Sequence, residues 1–87
     1  MSLEEDIERI RGVEGVDRVS VDESDETVEV VYYIADLYED WPYGASDGTA
    51  QQRETYYQEV FGVDWSLEGR FMSSELDTGF EMAVFNL

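Results

Sequence analysis

The sequence contains no cysteine, no histidine and no lysine, and only one proline, Pro42. Without those side chains there can be no disulfide, no Ser-His-Asp triad, no Cys-His pair, no lysine Schiff base and no imidazole or thiolate metal ligand. Neither a phosphate-binding glycine loop nor a G-x-G-x-x-G pattern occurs. Residues 1–15 are too charged for a signal peptide, and no apolar run approaches the length of a membrane span. These absences lead us to expect a cytoplasmic, non-enzymatic protein with no catalytic residue, no cofactor, no metal site and no membrane partner.

Positive charge is also scarce. Five arginines face 22 aspartates and glutamates, for a net charge of −17. Small domains are comfortable at a net charge of magnitude ~2–8. A larger imbalance repels itself and destabilises the compact state unless salt screens it, the Debye length falling from ~10 Å at 0.1 M to ~3 Å at 1 M. Abundant short carboxylates without lysine resemble the composition of salt-in halophile proteins, and the acids are spread along the chain instead of forming a tail. The alternative is an acidic partner surface, such as a nucleic-acid mimic. Nucleic-acid binding itself is disfavoured, because five scattered arginines leave no basic footprint. With this many carboxylates, pairs at the ~5–9 Å separation used in glycoside hydrolysis arise by chance and carry no information. The run Asp22-Glu23-Ser24-Asp25-Glu26 clusters oxygens, but it lacks the spacing of a calcium-binding loop and reads as a solvated turn.

What the chain does have is apolar and aromatic mass: 43% of its 87 residues are hydrophobic and 14% aromatic. That is enough for one domain with a thin core, residues 1–87. Ser2 and Glu5 fit a capping box ahead of Leu3, Ile7 and Ile10, which recur at helical spacing, and Gly12 marks the end of a helix over 3–11. Strands are expected over Asp17–Asp22 and Thr27–Ala35, joined by the acidic turn. Thr49 and Gln52 form a second capping box for a helix over 50–61, which Gly62 stops. A final hairpin pairs Trp65–Ser74 with Phe80–Asn86. The order αββαββ, with Gly-Val-Asp recurring at 15–17 and 62–64, divides the chain into halves of about 1–35 and 49–87. The fold class expected is α+β: a two-layer sandwich of a four-stranded antiparallel sheet with two helices on one face. This is the order of a ferredoxin-like βαββαβ unit circularly permuted by moving its first strand to the C-terminus.

Alternation then assigns the two sheet faces. Val28, Val30, Tyr32, Phe80, Met82 and Val84 are expected beneath the helices, and Trp65, Leu67 and Phe71 to share one face. Val31, Tyr33, Met72, Ala83, Phe85 and Leu87 would then form an apolar face that no helix covers. A bare apolar face marks an interface, so a homodimer or another protein partner is expected, unless loop 36–48 folds over it as a lid. In that loop Tyr38, Glu39, Asp40, Trp41 and Tyr43 interleave aromatics with acids, a pattern suited to a small molecule or cation held by ring faces and carboxylates.

Overall fold

The structure, a computed structural model, describes residues 2–72 and 78–87. Its elements are α1 (Leu3–Arg11), β1 (Val16–Asp22), β2 (Thr27–Tyr33), α2 (Ile34–Leu37), α3 (Ala50–Phe61), β3 (Ser66–Phe71) and β4 (Phe80–Asn86). The strands form one four-stranded sheet in the order β1-β2-β4-β3, with every neighbouring pair antiparallel. The described residues form a small α+β fold with three helices. Among the described residues no helix is long and apolar enough to cross a membrane.

Local chemistry sets the helix ends. The Ser2 hydroxyl accepts from the Glu5 amide at 3.2 Å, satisfying one of the open N–H groups of α1. Thr49 and Gln52 complete a reciprocal capping box on α3. Gly62 ends α3 at φ 69°, a left-handed conformation that a side chain resists. Arg9 of α1 then donates to the carbonyls of Phe61 (3.3 Å) and Gly62 (2.6 Å), so one cation closes the negative end of α3 and ties the two helices together. The second strand is shorter than its pattern predicts: the chain leaves the sheet after Tyr33 and makes the single turn α2, which buries Leu37.

The core lies between the helices and one sheet face. Ile7, Ile10, Tyr56, Tyr57 and Phe61 pack against Val19, Val28, Val30, Tyr32, Ala83 and Phe85. Ala83 and Phe85 are fully buried there, opposite Val30 and Val28 in register. This corrects the expectation that they lie on the uncovered face, and moves Phe80, Met82 and Val84 to that face instead. The parity of β3 also changes along its length. A bulge between Leu67 and Gly69 sets Leu67 beside Phe85, in the core, and Phe71 beside Met82, on the other face. The Leu67 amide donates to Glu54 Oε2 of α3 at 2.9 Å, so the helix satisfies a backbone donor on this edge strand.

Candidate functional site

The most developed polar arrangement lies at one end of the core, where β2, β3, β4, α2 and α3 converge. Glu81 of β4 points toward the helices and is buried, which an acid tolerates only with partners. Its Oε1 accepts from the Tyr32 hydroxyl at 2.5 Å, and the Tyr57 hydroxyl lies 3.4 Å away. Tyr57 is also 2.6 Å from the Tyr32 hydroxyl and hydrogen-bonded to the Tyr38 hydroxyl. Arg70 of β3 donates from Nη1 to the Tyr38 hydroxyl at 3.3 Å, and that nitrogen sits 3.9 Å from Glu81 Oε1.

Proton bookkeeping gives these bonds a direction, since a phenol has one hydrogen to donate. The Tyr32 proton goes to Glu81, so Tyr57 donates to Tyr32, Tyr38 to Tyr57, and Arg70 to Tyr38. The result is a ring of donors running head to tail from a guanidinium to a carboxylate, with each bond polarising the next. Burial raises the Tyr32 hydroxyl far above the usual phenol range, helped by the neighbouring Tyr57 and the bond to Glu81. Tyr57 is raised too, chiefly by burial. Tyr56, whose hydroxyl donates to the Leu37 carbonyl at 2.6 Å, is raised by burial and then by Asp40. For Arg70 burial works against the charge, but the bond to Tyr38 and the fields of Tyr38 and Glu81 outweigh it and raise the guanidinium. All these groups therefore keep fixed protons near neutral pH, which suits recognition.

The ring floors a groove of about 570 Å³, lined by Ile34, Tyr38, Trp41, Asp47, Arg70, Met72 and Glu81 among others. Its outer wall is the loop after α2. Trp41 is half-buried, edge-on to Tyr38 at 5.2 Å and Tyr56 at 5.0 Å, and its indole N–H donates to the Ser46 carbonyl at 2.8 Å. Gly48, at φ 75°, lies so close that a Cβ there would stand 2.8 Å from the indole. Of the loop residues singled out by sequence, Tyr38 and Trp41 line the groove. Tyr43 is exposed and packs on Trp41 from outside at 4.9 Å, while Glu39 and Asp40 are exposed and do not line it. The loop's aromatic contacts run to Tyr38 and Tyr56, on the helix side, so this packing does not make it a lid over the bare sheet face. Sequence reasoning missed Tyr32, Tyr57, Arg70 and Glu81. Glu81 was the available signal: an acid inside an apolar strand, needing buried partners on whichever face it takes.

The second candidate surface is the sheet face away from the helices. It carries Val31 and Tyr33 of β2, Phe80, Met82 and Val84 of β4, and Phe71 of β3, by register. Tyr33 and Phe71 are exposed, and Tyr33 packs on Phe80 at 5.4 Å. Val31 and Tyr33 thus stand where the sequence places them, and Phe71, Phe80, Met82 and Val84 join them. Met72 lies one residue past β3, exposed at the groove, and Leu87 is exposed at the last residue. Ser74, expected at the end of β3, lies outside the described residues. The acidic turn is held by Asp22, whose Oδ1 accepts from the amides of Ser24 and Asp25. Among the described residues there is no group of three or more histidines, cysteines, aspartates and glutamates placed to hold a metal ion.

No protein-family model matches the chain, and neither a curated protein nor a solved structure matches it significantly.

Proposed function

We propose that this is a halophilic, non-enzymatic interaction module that homodimerises through its helix-free sheet face. The observation that carries the reading is the apolar set Val31, Tyr33, Phe71, Phe80, Met82 and Val84 on a face over which no helix of the described residues lies, with Tyr33 and Phe71 exposed and Val31 and Val84 buried among their neighbours. In a chain of net charge −17, two copies can approach only where carboxylates are sparse, and this face is such a place. Arg18 supplies a second support. It is exposed on β1 opposite Val31, and among the described residues it alone of the five arginines has no hydrogen-bond or ion-pair partner. Glu29 stands on the same face, opposite Ser20. In a two-fold contact, where residue i meets j and j meets i, Arg18 of each copy can reach Glu29 of the other.

The strand order β1-β2-β4-β3, antiparallel throughout, supports reading the fold as a permuted ferredoxin-like unit, whose open sheet face suits association. Salt favours the dimer twice, by strengthening apolar burial and by screening like charge. Light scattering on the eluting peak at about 1 M KCl, where the Debye length is ~3 Å, tests this. A dimer mass is expected, and a monomer at every protein concentration would overturn the reading.

A further inference from the structure

We propose that the groove floored by Arg70 and Glu81 is a binding site for a small zwitterion of the α-amino-acid class. Its carboxylate is taken by Arg70, its ammonium by Glu81, and its apolar body by Trp41 and Met72. All four residues line the groove, whose volume of about 570 Å³ lies in the range of small-ligand sites.

The argument begins with unused valences. Tyr32 donates to Oε1 of Glu81, Tyr57 and Arg70 Nη1 lie 3.4 Å and 3.9 Å from that same oxygen, and among the described residues nothing donates to Oε2. Glu81 is only 8% exposed. Glu81 lines the groove, and Oε2 is not among the buried side-chain atoms left without a partner in the described residues. Arg70 uses only Nη1 among the described residues, which leaves Nε and Nη2 as an unengaged donor edge for a carboxylate. A cation and an anion therefore stand side by side, 3.9 Å apart, and both residues line the same groove.

Charge then selects the ligand. A simple cation would meet Arg70, and a simple anion would meet Glu81, Asp47 and the field of a −17 chain. A neutral molecule would desolvate both charges without replacing their hydration. A zwitterion offers one opposite charge to each and no net charge to the field. The ring through Tyr38, Tyr57 and Tyr32 holds both charged groups in place beforehand, which lowers the ordering cost of binding.

The test is a titration at about 1 M KCl, where nonspecific attraction is screened, with L-phenylalanine, phenethylamine and 3-phenylpropionate. Binding is read from the indole N–H resonance of Trp41 and from melting temperature. L-phenylalanine should shift both saturably, with the amine and the acid each about tenfold weaker or more. Arg70→Lys, which keeps the charge but loses the two-pronged edge, should weaken L-phenylalanine by about tenfold with its circular dichroism unchanged. Met82→Glu, on the opposite sheet face, should bind like wild type, which separates this site from the dimer reading. Absence of saturable shifts, equal binding of amine and amino acid, or an unaffected, folded Arg70→Lys would each overturn the proposal.

Discussion

Glu81 governs both the chemistry of the groove and the sidedness of the sheet. It shares a parity with Ala83 and Phe85, and a carboxylate ordinarily turns a strand position toward water. Tyr32 of β2, Tyr57 of α3 and Tyr38 just past α2 reverse that preference, because each hydroxyl completes the next one's hydrogen bond. The same tyrosines give the fold a definite alkaline limit. Folding raises Tyr32 and Tyr57 above the usual phenol pKa of ~10. Below ~10 both folded and unfolded chains keep these protons, and the stability tied to them is fully present. Above ~10 only the unfolded chain releases them, so stability falls by about 1.4 kcal/mol per pH unit for each of the two. Denaturant melts from pH 8 to 11 should be flat and then fall. The break should move or soften in Tyr32→Phe, and an unbroken profile to pH 11 would mean that neither hydroxyl is held neutral.

At the scale of elements, the helices were legible and the sheet faces only partly so. The bounds of α1 and α3 follow from side chains that act locally: Ser2, Thr49 with Gln52, and Gly62. Such caps need no tertiary context, and the Thr49 cap should be worth about 1 kcal/mol. Thr49→Ala should lower thermal stability accordingly, and an unchanged melt would show that helix packing alone fixes that end. The parity of β4 was not legible, because Phe80, Met82 and Val84 on one side and Ala83 and Phe85 on the other are both apolar, and alternation distinguishes faces only when one of them is polar. The reversal within β3 depends on a single extra residue, Glu68, at the bulge, and nothing in Ser66–Phe71 announces it beyond Gly69. The groove was half legible. Tyr38 and Trp41 stood out as an aromatic loop, but Arg70 and Glu81 are separated by ten residues in sequence and meet only because β3 and β4 pair.

The whole molecule is dominated by its charge. Only three ion pairs occur among the described residues, Arg9–Asp6, Arg11–Glu8 and Arg70–Glu81, so most of the 22 acids repel one another through solvent. Raising KCl from about 0.1 M to 1 M shortens the Debye length from ~10 Å to ~3 Å and should raise the melting temperature steeply. A flat response would mean that the acids are compensated locally and would remove the basis for a halophilic reading. The same screening is what would let two such chains meet face to face. The sidedness of that meeting is tested most directly by one paired measurement: light scattering with circular dichroism on Met82→Glu and Phe85→Glu at about 1 M KCl. Phe85 is fully buried under the helices. Losing its ring alone is worth about 3–5 kcal/mol and an unpaired charge adds to that, so Phe85→Glu should not fold. Met82 lies on the bare face opposite Val31, so Met82→Glu should give a folded monomer under conditions where the proposal expects the wild type to dimerise. A folded Phe85→Glu, or a Met82→Glu that remains dimeric, would contradict the assignment of the helix-free face as the surface of association.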